Sequence, residues 1–206
     1  EEERNRIIDS CLDQVSADYG NTILKSSARN EYMIERTRRI LRRTVWALQE
    51  QLKHGAFRPE GFEVRFQGGR IDRVDIMEEP ENNRVYVKVI DYKTGNTSFD
   101  LLALYHGLQL QLMVYLDGAL QVEKRKYPDR EIVPAGVFYY NVKDPMIQEK
   151  IHADMESINE QMLKKMKMNG LVQADDNMST KIDSTMASKP GRKLQQKIFC
   201  CLKEAV

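Results

Sequence analysis

Two short segments of this 206-residue chain carry side chains that could do chemistry together: Gly69-Arg70-Ile71-Asp72 and Val89-Ile90-Asp91-Tyr92-Lys93. The first closes on a carboxylate, and the second is an apolar run closing on Asp-x-Lys. Side chains alternate along a strand, so Asp91 and Lys93, two apart, point the same way. An acid and a base on one face of a strand end can hold a divalent cation and steady a water beside it. Tyr92 turns its side chain to the other face yet can still offer its backbone carbonyl to a metal. Two carboxylates (Asp72 and Asp91), that carbonyl and several waters make a hard-oxygen set suited to Mg²⁺, with Mn²⁺ able to substitute.

Blander readings stand beside this one. Asp72 alone would be a solvated turn acid, and Asp91 with Lys93 alone a surface ion pair worth about 0–1 kcal/mol. A surface pair, however, has no need to end a strand as apolar as 85–90. Thr94-Gly95 then supplies a strand exit where the backbone can turn close to a ligand. Asp75, an odd number of positions from Asp72, faces the other side of its strand and reads as an ion-pair partner of Arg73 or Arg70. Glu63 on the preceding strand reads equally as an added metal ligand or as a solvated acid.

The elements that must position these groups follow from periodicity and turn chemistry. Residues 2–18 and 28–54 read as helices, the second capped by Ser26 or Ser27 and stopped at Gly55. Strands are expected at 61–67, 70–76 and 84–91, with Pro80-Glu81-Asn82-Asn83 as a hairpin loop. A helix over 100–121 leads to a fourth strand at 132–142, with Pro134 near its start. A further helix is expected from 145 to 169, stopped by Gly170. A polar stretch at 172–190, expected to be mobile, precedes a basic amphipathic helix at 192–204. The order predicts one α/β domain over 1–206: a helical lead-in (1–58), a core (61–142) made of a three-strand meander, a helix and a fourth strand, and a helical C-terminal part (145–206).

Composition sets outer limits. The formal charge is +1, so bulk electrostatics does not argue for a nucleic-acid binder. Charge is uneven, though: Arg36, Arg38, Arg39, Arg42 and Arg43 crowd one helix, and Glu78, Glu79 and Glu81 crowd one turn. The arginines read as a solvated face or as a phosphate-tracking wall. Cys11, Cys200 and Cys201 have neither zinc nor disulfide-framework spacing and read as reduced thiols of a cytoplasmic protein. No apolar run approaches the ~18 residues of a membrane span. The chain begins on Glu1-Glu2-Glu3 without a methionine and is read as a piece of something larger.

These residues resemble the PD-(D/E)xK nuclease superfamily in its RecB-like branch. Residues 32–66, GRIDRVD, VIDYKTG, FDLLALYHGLQLQLMVYLDGAL and PAGVFYYNVKDP occur in order. Together they are similar to the C-terminal nuclease domains in the B subunits of bacterial ATP-dependent helicase/deoxyribonucleases, over about residues 17–172. The resemblance implies a restriction-endonuclease-like mixed sheet flanked by helices. It makes Asp72 and Asp91 the metal-binding carboxylates, Lys93 the catalytic lysine, and Gln111 and Tyr115 the Gln-x-x-x-Tyr signature of the following helix. Four apart, those two share a helix face; they position a phosphate or the attacking water, or simply pack on the sheet. Gln109 is the register alternative for the glutamine.

The resemblance implies a Mg²⁺-dependent DNA exonuclease acting in double-strand-break repair on a single strand delivered from a duplex end. The cognate A subunit of the helicase–nuclease would be its partner, with no membrane involved. A non-catalytic DNA-guiding or assembly module is the alternative, against which the intact Asp72, Asp91 and Lys93 speak. Arg36, Arg39 and Arg43 are the candidate DNA contacts. The family's upstream histidine ligand is not matched by His54, and His106 and His152 follow the core motifs. Its four-cysteine iron–sulfur staple is not matched either, so the cluster is expected in the full-length protein and not in this fragment. The join at Phe66-Gln67-Gly68-Gly69 and the stretch near 172–190 are short for the family. Tyr139 and Tyr140 read as packing rather than base-stacking groups, and Met162, Met166 and Met168 as core or an inter-subunit contact.

Overall fold

The computed structural model describes residues 1–18, 27–147, 154–173 and 178–184. The chain divides into two compact units, Glu1–Glu50 with Val142–Met166, and Gln51–Asn141 with Lys167–Val206. In chain order the helices are α1 (Glu2–Asp18), α2 (Ala28–Lys53), α3 (Leu101–Tyr105), α4 (Gln111–Lys126), α5 (Met155–Lys165) and α6 (Met178–Ile182).

The second unit is built on one five-stranded sheet in the order β1-β2-β3-β4-β5. Strand β1 (Arg58–Phe66) turns through Gln67-Gly68 into β2 (Gly69–Glu79), and a short 3-10 turn at Pro80–Asn82 leads to β3 (Arg84–Lys93). Asn83 closes that turn in the left-handed region at φ 54°, a conformation asparagine tolerates. These three strands are antiparallel. Strand β4 (Glu131–Asn141) then runs parallel to β3, which demands a crossover, and α3 and α4 make it. Pro134 sits in β4 where the register shifts between Val87 and Lys88, a bulge that tolerates its missing N–H. Strand β5 (Asn169–Val172) closes the edge antiparallel to β4.

One sheet face packs Val74, Ile76, Val85, Val87, Val89, Val137 and Tyr139 against Leu112, Leu116 and Ala119 of α4. The other packs Met77, Tyr86 and Ala135 against Phe57 and against Met178 of α6. This second face also buries a charged cluster. Arg73 grips Asp75 through two hydrogen bonds of 2.6 and 2.8 Å, and Lys88, opposite Asp75 in register, lies 2.9 Å from its carboxylate. Arg73 is thus the partner that Asp75 takes, not Arg70.

The first unit contains α1, α2 up to Glu50, and α5. Ser27 Oγ accepts the Asn30 N–H and caps α2. Met162 and Met166 pack with Ala47, so these methionines are core. The arginines of α2 are largely engaged within the unit. Arg38 pairs with Asp9, Asp13 and Glu35, Arg42 with Asp9, and Arg39 and Arg43 share Asp144. Arg36 is exposed.

Three expectations change. The helix expected over 100–121 is two helices: Gly107 adopts φ 75°, a left-handed turn between α3 and α4. The helix expected over 145–169 is the shorter Met155–Lys165. Beyond it, Asn169–Val172 pairs as a strand, because Gly170 meets β4 backbone too closely for any Cβ. Within 172–190, Met178–Ile182 forms a helix with Met178 fully buried, while 174–177 and 185–190 lie outside the described residues. The expected helix at 192–204 also lies outside them.

Candidate active site

Asp91 and Lys93 end the most buried strand of the sheet, and the burial reaches Asp91 itself, which is 2% exposed. The β2–β3 ladder runs as far as Arg73 opposite Ile90. The next step sets Asp72 against Asp91, and there the backbone pairing gives way to a side chain: the Tyr92 N–H donates to Asp72 Oδ2 at 2.8 Å. Strand register thus brings together two carboxylates that lie far apart in sequence.

Lys93 joins the acids to the following helix. Its Nζ lies 2.5 Å from Asp91 Oδ2 and donates to Gln111 Oε1 at 3.0 Å. Gln111 Nε2 in turn donates to the Tyr115 hydroxyl at 2.9 Å, and the Tyr115 ring meets the edge of Phe66. The ammonium also sits 5.6 Å from the centre of the Tyr139 ring. Asp72, Asp91, Lys93, Gln111 and Tyr115 therefore form one connected constellation. Gln109, the register alternative, does other work: its side chain accepts the Asp100 N–H and donates to Ser98 O. Glu63 turns to Arg70 instead of the acids, from a backbone held at φ 53°.

The electrostatics of the pair are opposed. Burial pushes the Asp91 carboxyl above the ordinary carboxylate value; Lys93 pulls it down and the Asp72 charge pushes it up again. The Asp91 Oδ2 atom is buried, and its partner is the Lys93 ammonium at 2.5 Å. A buried carboxylate that feels the charge of a second acid is unfavourable unless cations offset it. Among the described residues no group of three or more His, Cys, Asp or Glu gathers to hold a metal. The oxygen donors available, two carboxylates and a backbone carbonyl, would suit Mg²⁺ and would suit zinc poorly.

Two asparagines near the site have no role among the sequence expectations, although Asn141 lies inside PAGVFYYNVKDP. Asn141, beside Lys93 in register, accepts the Thr97 N–H at 3.2 Å and donates to Thr97 O at 2.9 Å. Asn169 accepts the Phe99 N–H at 2.6 Å and donates to Thr97 O at 3.3 Å. Their sequence signal is thin, a strand-end asparagine and an Asn-Gly pair that reads as a helix stop.

Among the other candidates, the His106 ring stacks edge-on against Tyr105 and the His54 carbonyl accepts the Ser184 N–H. Cys11 is exposed and unpaired, whereas Cys200, Cys201 and His152 lie outside the described residues. No helix among the described residues is long and apolar enough to cross a membrane.

Comparison with known proteins agrees with this geometry. The profile of the PD-(D/E)XK nuclease superfamily matches residues 1–200. The chain is 43% identical over 199 residues to the B subunit of an ATP-dependent helicase/deoxyribonuclease of Lachnoclostridium phytofermentans, covering 93% of this chain and 17% of that protein. The same-named protein of Alkaliphilus metalliredigens is 37% identical over 207 residues, covering 90% and 18%. That of Clostridium acetobutylicum is 35% identical over 195 residues, covering 85% and 17%. The chain thus spans less than a fifth of the length of these relatives. Sheet order, constellation and sequence agree, and the chain belongs to the PD-(D/E)XK nuclease superfamily.

Proposed function

We propose that this chain is a Mg²⁺-dependent DNA exonuclease domain. It hydrolyses a single strand delivered from a duplex end, alongside the A subunit of a helicase–nuclease, in processing double-strand breaks for recombinational repair. The observation that carries the reading is the junction of Asp72, Asp91 and Lys93 where the start of β2 meets the end of β3. The relatives' names supply the helicase and the DNA.

Asp72, Asp91 and the Tyr92 carbonyl are the groups that would hold the ion. When bound, Mg²⁺ lowers the pKa of a coordinated water and offsets charge on the phosphate oxygens. Lys93, held beside Asp91, orients the attacking water and stabilises the charge that develops on phosphorus-bound oxygen. Gln111 holds the Lys93 ammonium from the side away from Asp91, and Tyr115 holds the Gln111 amide. Contacts of this kind read phosphate and carry no base information, so cleavage is independent of sequence. Of the arginines assigned to DNA, Arg36 is exposed, while Arg39 and Arg43 must exchange Asp144 for a phosphate.

The test is degradation of end-labelled linear DNA in Mg²⁺ by wild type and by Asp91→Ala. The variant is expected to fold and to lose cleavage. Cleavage by Asp91→Ala at the wild-type rate would place the active centre elsewhere.

A further inference from the structure

We infer that Asn141 and Asn169 are positioning residues of the catalytic centre: they clamp the backbone of residues 97–99 and thereby hold Gln111 on Lys93. The inference rests on the hydrolytic reading above and goes beyond it, since the bonds that these two side chains make are to the 97–99 backbone and not to the acids or the lysine.

Between Lys93 and Gln111 the chain leaves the sheet and must return with its glutamine in register. Apolar packing does little to guide it. Helix α3 is five residues long with no buried residue, and Leu102, Tyr105 and Leu108 are 66%, 84% and 79% exposed. Phe99 alone of residues 94–108 packs, partly buried, against the core. Polar ties take over. Both hydrogen-bonding groups of the Thr97 backbone are taken by Asn141, which stands beside Lys93 at the end of β4. Asn169, at the start of β5, takes the Phe99 N–H and gives a second bond to Thr97 O. The two backbone N–H groups need oxygen acceptors, and this fixes which way each amide points. The side chains thus extend the ladder beyond the ends of β4 and β5, treating 97–99 as though it were another strand.

The clamp reaches the catalytic helix through Gln109. This side chain donates to Ser98 O at 3.1 Å and accepts the Asp100 N–H at 2.9 Å. Whatever fixes 97–100 therefore fixes residue 109, two positions before Gln111. Leu110, the residue preceding α4, offers no side-chain cap of its own. Leu112 and Leu116 anchor the helix axis on the sheet, and the clamp sets the direction of its first turn.

The experiment compares Asn141→Ala, Asn169→Ala, Asn141→Asp and Asn169→Asp in the full chain, with Asp72, Asp91, Lys93 and Gln111 intact. Turnover in Mg²⁺, DNA affinity in Ca²⁺ and the Gln111 side-chain amide resonance are read for each. In the alanine variants turnover falls about 10- to 100-fold, as a misplacement near 1 Å produces, while affinity changes less than about threefold. The Gln111 resonance shifts in step. Each aspartate keeps its N–H acceptor and loses its donor to Thr97 O; Asn169→Asp loses only the long bond of 3.3 Å and recovers most of the rate, whereas Asn141→Asp loses the bond of 2.9 Å and does not. In a Gln111→Ala background, Asn141→Ala adds no further loss.

Turnover within about threefold of wild type with an unmoved Gln111 resonance overturns the inference, as does affinity falling in parallel with turnover. Should the alanine variants fail to fold, the two aspartate variants carry the same contrast. A wild-type chain that leaves DNA intact overturns the hydrolytic reading, and the Gln111 resonance then decides the clamp without it.

Discussion

The Lys93 ammonium touches Gln111 Oε1 at 3.0 Å, closing an 18-residue loop between the end of a strand and the start of a helix. On its other side the same ammonium meets Asp91. Lys93 is therefore held by two partners at once, a geometry that suits a point charge.

Exchanging that point charge for a planar one tests the geometry. Arginine keeps the positive charge but is longer and presents a rigid fork. Lys93→Arg is expected to lower the cleavage rate on the order of a hundredfold through misplacement near 1 Å. Lys93→Ala should cost at least as much, and DNA affinity in Ca²⁺ should fall far less than turnover. A wild-type rate for Lys93→Arg would reduce Lys93 to a phosphate contact and pass the water to Gln111.

Metal removal addresses the carboxylates. Cleavage is expected to require Mg²⁺ or Mn²⁺ and to vanish in EDTA, with Ca²⁺ occupying the site but supporting little turnover. Rates undiminished by chelator would exclude the pair as a metal site.

The buried cluster on the opposite face makes a prediction about stability alone. Asp75 is fully buried between Arg73 and Lys88, and burial pulls the Lys88 ammonium below its ordinary pKa while Asp75 raises it. Asp75→Ala leaves two cations without their carboxylate and is expected to cost about 3–5 kcal/mol. Lys88→Met removes the poorly hydrated ammonium and keeps the Arg73–Asp75 pair, so it should lie within about 1 kcal/mol of wild type or above it. Urea unfolding midpoints rank the two, and a Lys88→Met loss larger than that of Asp75→Ala would refute the assignment.

Acid should loosen one edge first. The Lys181 ammonium, helped by Asn82, holds the Glu79 carboxyl at about 2, below its ordinary 4.5, with burial opposing. A depressed folded pKa means stabilisation that is present above pH 4.5 and lost as pH falls toward 2. The Ala56 and Ser184 N–H groups, bonded to Lys181 O and His54 O, report on that edge. Their exchange is expected to accelerate through this window in wild type and to lose most of its pH dependence in Glu79→Gln. Unchanged pH dependence in that variant would free Glu79 of the role.

Much of this architecture was legible in the chain because it rests on local rules. Alternation marked β1, an apolar run marked β3, the Pro-Glu-Asn-Asn turn marked the β2–β3 hairpin, and strand parity separated Asp72 from Asp75. Two-residue spacing put Asp91 and Lys93 on one face, and four-residue spacing joined Gln111 to Tyr115. What escaped depends on distant partners. Asn169-Gly170 looks like a helix stop, and only the close approach to β4 makes it strand. The break at Gly107 lay inside a continuous helical pattern and shows itself through backbone conformation. Gln109 and Gln111 could not be ranked by spacing, since the choice turns on which one meets Lys93 and which one ties the loop.

The sheet also has a consequence for synthesis, which proceeds from the N-terminus. By the time residue 141 has been made, the ribosome has already delivered Asp72, Asp91, Lys93, Gln111 and Tyr115. It has not delivered β5, whose Asn169 holds Phe99 and whose backbone covers the edge of β4. The nascent chain therefore carries these five side chains for a further stretch of translation before Asn169 can hold Phe99, so on the proposed reading the site is completed late although its residues are encoded early.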